Sequence, residues 1–430
     1  MRKSKFLSVL TATTLALTLA VPTVMPLELT TGVVKAVEVT TTAPSQKIEG
    51  RCGDNAIYSY DKATRTLTIS GTGAMWNGTK YSHLGTVDKI VIGNGITVIG
   101  EDAFAQFNGV GSAEISDTVT TIKGNAFKDL KSITIPKTVR TVETDAFNGV
   151  GKVVVEGDMN NFQYGALGDE VQEVQLKGSA ETLGLALAKV DDPTVTIAKD
   201  NNRVRIANRC LLSSDGKTVY YHISDSNKVT IPDTAVTIKS AAFYNQGIEE
   251  VKLGKNVTTI EPYAFAETPV SKLTTNSKLK KIGRCAFMGT DLKKVTLKSS
   301  VAMSPKAFNQ KVILTSTKSL KSAKTVMTSA TFKKNKINAK FAKLTGAKGY
   351  QVQIKKGGKT YKYFTTKTSI KVKAPKVFKK KYNVGFSYDI DNYTSKIEGK
   401  PAYISVRPYK IVKKNKKSYG KWSEKIVLTK

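Results

Sequence analysis

Histidine is scarce in this chain, which has His83 and His222 and no other among its 430 residues. Ser-His-Asp and Cys-His catalytic groups need a histidine beside the nucleophile, and a zinc site normally takes several histidine or cysteine ligands. Two histidines so far apart in the sequence suit neither arrangement, so we expect no enzyme, no metal and no cofactor. Each histidine is expected to be an ordinary surface or loop residue.

Cysteine is also sparse, with Cys52, Cys210 and Cys285 spread widely along the sequence. An odd number of distant cysteines specifies no disulfide framework. Cys285 stands directly before Ala286 and Phe287, which belong to an apolar unit that recurs along the chain. We therefore expect Cys285 to lie in the hydrophobic core.

Long apolar runs are missing except at the amino end, where three basic residues precede an apolar, threonine-rich stretch. This order predicts a secretory signal, residues 1–36, followed by a linker, residues 37–50. Small or apolar residues favour cleavage after Ala36, with Ala20 as a second candidate, and an uncleaved membrane anchor is the alternative. We expect a secreted protein, extracellular or associated with the cell surface, without a transmembrane segment in the mature chain.

Acidic residues are nearly absent from residues 311–430, which hold 32 Lys plus Arg against 4 Asp plus Glu. This segment supplies +28 of the formal net charge of +34, so a nearly neutral body is joined to a strongly basic tail. Such asymmetry predicts an anionic partner for the tail. Export favours a cell-wall polyanion, a glycosaminoglycan or an anionic membrane surface over nucleic acid. The candidate polyanion-binding residues are Lys379, Lys380, Lys381, Lys413, Lys414, Lys416 and Lys417.

An Ala-Phe pair, with an apolar residue four positions before its alanine, recurs along the chain at intervals of about 20 to 23 residues, a period found in leucine-rich repeats. Stacked repeats of this kind share one core, with each phenylalanine lying against the next. We expect each Ala-Phe segment to be a single turn of helix or 3₁₀ structure. The pairs are Ala103-Phe104, Ala126-Phe127, Ala146-Phe147, Ala242-Phe243, Ala264-Phe265, Ala286-Phe287 and Ala307-Phe308.

A short alternating strand precedes these pairs, as in Ile133-Thr134-Ile135. Side chains alternate between the two faces of a strand, so the isoleucines are expected to point inward and Thr134 outward. Parallel strands would then line a concave face, which is the usual binding surface of a solenoid. The candidate ligand-binding residues on that face are Lys89, Ser132, Lys228, Glu250, Lys252, Lys272, Thr274, Lys294 and Thr296.

Between Phe147 and Phe243 the Ala-Phe signature lapses, although short apolar strands persist. We interpret this stretch as degenerate repeats, with residues 205–221 forming a hairpin, and an inserted domain over residues 151–231 is the alternative. At the front, two alternating segments around residues 61–64 predict a hairpin that closes the end of the solenoid.

With these features in view, residues 52–308 resemble the BspA-like leucine-rich-repeat family of secreted bacterial surface proteins. The resemblance rests on the seven apolar-x-x-x-Ala-Phe units and on the opening Cys52-Gly53-Asp54-Asn55 with Leu67-Thr68-Ile69-Ser70-Gly71. It implies an extracellular adhesin-like protein that binds host or matrix macromolecules, and it names no particular ligand.

The tail resembles fibronectin type III modules, through Gly349-Tyr350-Gln351-Val352, Tyr403-Ile404-Ser405-Val406 and Tyr419-Gly420-Lys421-Trp422-Ser423. Phe341 departs from the pattern, since such modules usually have tryptophan there, and residues 383–400 look like an insertion. The expected fold class is therefore an α/β-type repeat solenoid, mostly β with short helical turns, plus an all-β sandwich. We expect a solenoid over residues 51–317, a basic linker over 318–334 and the sandwich over 335–430.

The favoured function is a cell-surface binding protein of extracellular protein or matrix macromolecules. A soluble secreted protein without surface retention is the alternative, and an extracellular hydrolase is the less favoured one. Gly357-Gly358-Lys359-Thr360 is similar to the end of a phosphate-binding loop but lacks the first glycine at the required spacing, so we interpret it as a hairpin turn.

Overall fold

Most repeats fold into two short strands and a turn, and the repeats stack through parallel strand pairing. The structure is a computed structural model that describes residues 47–428 except 224–225, 310, 318–320, 322, 334, 376–401 and 413–414. The predicted signal and most of the linker before the solenoid lie outside these residues. The described residues belong to one compact unit.

The first half of the array contains fifteen strands and the single helix of the described residues. They are β1 Lys47–Arg51, β2 Gly53–Asp61, β3 Thr66–Met75, β4 Lys89–Ile92, β5 Ile96–Ile99, β6 Ser112–Ile115, β7 Thr121–Ile122, β8 Phe127–Lys128, β9 Ser132–Ile135, β10 Thr141–Val142, β11 Phe147–Asn148, β12 Lys152–Val155, β13 Asn161–Phe162, β14 Glu173–Leu176, α1 Leu183–Ala186 and β15 Thr194–Ile197. Strands β1, β2 and β3 are antiparallel neighbours that cover the front of the array.

The second half of the array continues the same plan after a hairpin. Its strands are β16 Val204–Ala207, β17 Cys210–Ser213, β18 Thr218–His222, β19 Lys228–Thr230, β20 Thr237–Ile238, β21 Glu250–Lys252, β22 Thr259–Ile260, β23 Lys272–Thr274, β24 Lys281–Ile282, β25 Lys294–Leu297, β26 Ala302–Met303 and β27 Ile313–Ser316. Strands β16, β17 and β18 pair antiparallel, and β18 then pairs parallel with β20. Gly216 in the tight turn between β17 and β18 has φ of 70°.

The stretch without the Ala-Phe signature continues the repeat array. Strand β12 pairs in parallel register with β14, and β14 with β15, so that Val153, Val174 and Val195 stand opposite one another. Val153 and Val174 are fully buried. The inward strand positions are thus filled as in the other repeats, and Leu167 stands buried after Ala166 where those repeats have phenylalanine.

The phenylalanines of the repeats form two stacks inside the array. The ring centroids of Phe104, Phe127 and Phe147 are 5.2 and 5.8 Å apart. The second stack, Phe243, Phe265, Phe287 and Phe308, has spacings of 4.6, 5.1 and 5.1 Å. Burial of one such side chain stabilises the fold by about 1.5–3 kcal/mol. The stacking predicted from the sequence is confirmed.

The Ala-Phe segments are turns, and the expectation of a helical or 3₁₀ turn at each of them is wrong. The residue before each of the seven pairs has φ between 51° and 60°, which lies in the left-handed region and interrupts a right-handed helix. The backbone N–H of Phe265 instead donates to the carbonyl of Ala286 in the next repeat, at 2.8 Å. The seven residues with this conformation are Asp102, Asn125, Asp145, Ala241, Tyr263, Cys285 and Lys306.

The tail consists of β strands in two antiparallel sheets and one strand that joins the solenoid. Its strands are β28 Met327–Lys333, β29 Lys336–Phe341, β30 Lys343–Leu344, β31 Gly349–Lys356, β32 Lys359–Thr365, β33 Ser369–Lys373, β34 Tyr403–Ile411, β35 Lys417–Tyr419 and β36 Ile426–Val427. One sheet contains β28, β29 and β33, and the other, here the tail sheet, contains β32, β31, β34, β35 and β36. The residues after Gly358 form the second strand of the β31–β32 hairpin.

The segment between solenoid and tail is structured where a linker is expected. Strand β28 lies within residues 318–334, and Ala323, Val326 and Met327 are buried. These apolar residues pack in one hydrophobic cluster that contains both Phe308 of the last repeat and Val352 of the tail sheet. The apolar side chains in this range therefore fill the core between the two parts.

Candidate binding surfaces

The longer strand of each repeat places one set of side chains in the core and the alternate set outside. In β19, Val229 is buried while Lys228 and Thr230 on either side are exposed. We call the outward side of β4, β6, β9, β12, β14, β15, β19, β21, β23 and β25 the strand face. All nine residues predicted for the binding face lie on it: Ser132, Lys228, Lys252, Lys272, Thr274 and Lys294 are exposed, and Lys89, Glu250 and Thr296 are half-buried.

Strand register arranges the candidates of the second half in rows. Lys228, Glu250 and Lys272 stand opposite one another on β19, β21 and β23, and Lys252 stands beside Thr274 in the next row. Neighbouring strands are about 4.8 Å apart, so these side chains form one continuous surface. Lys294 and Thr296 lie on β25, which contacts β23.

Lys89 and Ser132 belong to the first half of the strand face, on β4 and β9. Lys89 pairs with Glu114 at 2.6 Å, and Lys152 on β12 pairs with Glu173 on β14 at 2.9 Å. Glu114, Lys152 and Glu173 are not among the residues predicted from the sequence. The alternation of apolar and polar residues in Lys152–Val155 would have indicated that Lys152 faces outward. Charges of opposite sign balance one another on this half of the face.

On the second half of the strand face, lysine exceeds glutamate. Glu250 accepts a hydrogen bond from Lys272 Nζ at 3.0 Å and lies 3.8 Å from Lys228 Nζ. The bond from Lys272, with the positive charge of both lysines, lowers the pKa of Glu250 and keeps it ionised. Lys252 and Lys294 add further exposed positive charge. This half of the face is therefore basic, and it complements an acidic surface.

Lys416 and Lys417 are exposed on the tail, and the other candidate polyanion-binding residues, Lys379, Lys380, Lys381, Lys413 and Lys414, lie outside the described residues. Lys417 begins β35, where its Nζ lies 4.6 Å from the ring centroid of Phe364 and 5.4 Å from that of Tyr409. The aromatic rings hold this cation in a defined place on the tail sheet.

A second cation on the tail sheet lies between two aromatic rings. The guanidinium carbon of Arg407 is 4.0 Å from the Tyr419 ring centroid and 4.5 Å from that of Trp422. Arg407 Nε donates to Oε1 of the buried Gln351 at 2.8 Å. Partial burial lowers the pKa of Arg407, which remains a cation at neutral pH. Sequence reasoning missed this group because its members come from separate strands and from the loop that contains Trp422.

The histidines differ from one another in the structure. His83 is exposed and its Nε2 is hydrogen-bonded to the Tyr58 hydroxyl at 3.0 Å. His222 is 2% exposed, so its placement on the surface or in a loop is wrong. It takes the place of a phenylalanine in the second stack, 5.6 Å from Phe243, and its backbone N–H donates to Ala242 as the phenylalanines do in their repeats.

The three thiols are free and buried, including the one predicted in the core at Cys285. Burial raises the pKa of Cys52 to about 11 and that of Cys210 to about 12. Across the described residues no group of three or more His, Cys, Asp or Glu side chains is arranged to hold a metal ion. The helix α1 in that part of the chain lacks the length and apolarity to span a bilayer.

One family model matches the chain, that of the BspA type leucine-rich repeat region. It matches in six copies over residues 66–166 and 215–338, which together make up just over half of the sequence. No curated protein matches the chain by sequence.

Several solved structures are similar to the chain at low identity. The pneumococcal vaccine antigen PcpA is 15% identical, with 63% of this chain and 82% of that chain covered and a TM-score of 0.44. A leucine-rich repeat protein from Eubacterium ventriosum is 18% identical, with 65% and 93% covered and a TM-score of 0.39. A leucine rich cell surface protein from Faecalibacterium prausnitzii is 14% identical, with 61% and 87% covered and a TM-score of 0.39.

Proposed function

Because this chain belongs to the BspA type leucine-rich repeat family, we propose that it is a secreted, adhesin-like surface protein of bacteria that binds host or matrix macromolecules. Its ligand-binding surface is the basic half of the strand face, and its preferred partner is a protein with an acidic patch. Residues 1–36 serve as the signal for export. Residues 335–430 form a fibronectin type III-like module whose lysines attach the protein to a cell-wall polyanion.

The observation that carries this proposal is the placement of Lys228, Lys252, Lys272 and Lys294 on the outward side of neighbouring strands. Parallel pairing fixes the spacing of Lys228, Lys252 and Lys272, and Lys294 lies on β25, which contacts β23. The buried valines and leucines between these lysines fix the direction of each side chain. Polar and charged groups suit a hydrated contact between proteins, in which bridging waters and complementary charges connect the two surfaces. Rigid placement also lowers the entropy that binding would otherwise cost.

The test compares two charge-reversed variants of the full chain. The first changes Lys228, Lys252, Lys272 and Lys294 to Glu, and the control changes Lys278, Lys280, Lys281 and Lys298, which are exposed elsewhere on the same repeats. Both variants have the same net charge. Binding to a panel of immobilised matrix proteins should weaken by about tenfold or more in the first variant, since tenfold corresponds to ~1.4 kcal/mol, and should persist in the control.

A third variant, Glu250→Gln, removes the carboxylate between Lys228 and Lys272 and should strengthen binding to the same partner. Equal losses in the two lysine variants would mean that net charge alone governs binding. Unchanged binding in both would exclude this face as the binding surface.

Surface retention is tested separately by fractionating cells that produce the full chain. Attachment through the lysines of the tail predicts protein on washed cells that is released as salt rises from 0.1 to 1 M, where the Debye length falls from about 10 Å to about 3 Å. Protein found only in the culture supernatant at low salt would favour the alternative, a soluble secreted binding protein.

A further inference from the structure

The tail sheet has one face in the core and an outer face that is exposed at Phe364 and Tyr403 and buried at its centre, at Gln351 and Gln353. Tyr350, Val352 and Ile354 of β31 are buried in the core. The alternate residues Gln351 and Gln353 point to the opposite face, where Phe364 and Arg407 stand on either side of Gln351 in register. Phe364 is 48% exposed and Tyr403 is 36% exposed.

The side chains of this outer face form an ordered row across four strands. Phe364 on β32, Tyr409 on β34 and Tyr419 on β35 have successive ring centroids 6.0 and 6.1 Å apart. Lys417 and Arg407 lie against these rings, as described above. The row crosses three strand spacings, or about 14 Å. We call these five residues, together with Trp422, the tail platform.

We propose that the tail platform binds an acidic polysaccharide. The exposed ring of Phe364 and the half-buried rings of Tyr419 and Trp422 give apolar surface against which sugar rings pack. The fixed guanidinium and ammonium groups pair with carboxylate, sulfate or phosphate groups along the polysaccharide. The planar fork of arginine suits two-point recognition of such anions. This inference rests on the proposed attachment of the tail to polyanions and assigns that attachment to a site.

Two features favour a polysaccharide over a partner that only needs positive charge. The cations of the platform are immobilised on aromatic rings, whereas attachment by charge alone works with mobile surface lysines. The surroundings are also strongly basic, because Glu424 is the only acidic residue among the described residues from 311 to 428. An acidic glycan complements both the apolar and the charged part of this surface.

Phe364→Ser is the main variant in the test, since it removes an exposed ring and changes no charge. The matched control is Ile206→Ser, which removes an exposed apolar side chain of the solenoid that is 52% exposed. A second pair compares Arg407→Lys, which keeps the charge but loses the planar fork, with Lys371→Gln on the other sheet of the tail. Circular dichroism melting shows that each variant is folded.

Binding of the full chain is measured by calorimetry with heparin, polygalacturonate and a wall teichoic acid, with dextran as the neutral probe. We expect binding to at least one acidic polymer and none to dextran. Phe364→Ser should weaken that binding by about fivefold to tenfold, because the covered apolar area is worth of the order of 1 kcal/mol. Arg407→Lys should also weaken it, and both controls should bind as the unaltered protein does.

The outcomes separate the platform from the proposed attachment. If Phe364→Ser and Arg407→Lys bind as tightly as the controls, the platform is overturned while electrostatic attachment stands. If the unaltered chain binds none of the acidic polymers, both ideas fail. Tighter binding to single-stranded DNA than to every acidic glycan, with the same loss in Phe364→Ser, would replace the polysaccharide with nucleic acid and overturn the proposal.

Discussion

Leu314 of the last solenoid repeat and Leu344 of the tail stand opposite each other in a parallel pair of strands. Both are buried in the cluster that runs from Cys210 to Leu428. Strand β30 thus supplies the next strand of the solenoid sheet, where an uncovered edge would otherwise expose the apolar core. A terminal unit of this kind is what a solenoid needs to close its end.

Leu344→Ala should therefore destabilise the solenoid as well as the tail. Truncation of a buried leucine costs about 2–5 kcal/mol, through lost burial and the cavity that remains. We expect scanning calorimetry to show one transition for the second half of the array and the tail, shifted to lower temperature. Ile411→Ala, at a side chain 41% exposed, is the control and should change little. Two transitions with only one of them shifted would contradict the shared core.

The repeat plan could be predicted from the sequence because each repeat shows it again. The Ala-Phe pairs located the stacked rings, and the strand alternation located the outward lysines. The position of Leu344 could not be predicted, since it depends on which edge of the solenoid the tail meets. His222 was misplaced because the repeat that contains it lacks the Ala-Phe signature. The sequence therefore contains no sign that His222 takes the position of a phenylalanine.

Substitutions at Phe265 test the contribution of the phenylalanine stack to stability. The Phe265 ring centroid lies 4.6 Å from that of Phe243 on one side and 5.1 Å from that of Phe287 on the other. Phe265→Ala should lower the free energy of unfolding by about 3–5 kcal/mol. Phe265→Leu should cost less, because leucine refills much of the space and Leu167 follows its alanine in the same way. Urea denaturation gives both values. Equal costs for alanine and leucine would show that ring stacking, and not filled volume, stabilises this position.

Lys306 has φ of 60° and an exposed side chain. A substitution there therefore tests how much the left-handed conformation before each Ala-Phe pair costs in stability. A residue with Cβ pays about 1–2 kcal/mol in this conformation and glycine does not. Lys306→Gly should therefore raise the melting temperature slightly, although greater freedom of glycine in the unfolded chain offsets part of the gain. Lys298→Gly, at another exposed lysine outside the left-handed region, should lower it. A loss of the same size at both positions would argue against strain at Lys306.

The buried thiols predict how stability depends on alkaline pH. The pKa of Cys210 is raised to about 12 by burial, whereas an exposed thiol in the unfolded chain has a pKa near ~8.5. Between these two pH values the folded protein thus keeps the thiol proton of Cys210, whereas the unfolded chain loses it. Below about pH 8 the thiol is protonated in both states, and the free energy of unfolding does not depend on it. The free energy of unfolding then falls as pH rises towards 12, by at most ~1.4 kcal/mol per pH unit for one thiol.

Cys210→Val removes this thiol from a fully buried position with little change in volume. The variant should lose less stability than the unaltered protein between pH 8.5 and 10.5, as measured by urea denaturation. At pH 8 the native chain should also resist a thiol reagent that modifies all three cysteines in urea. The contribution of Cys210 is excluded if both proteins show the same dependence on pH, because deprotonation of lysines and tyrosines is common to both.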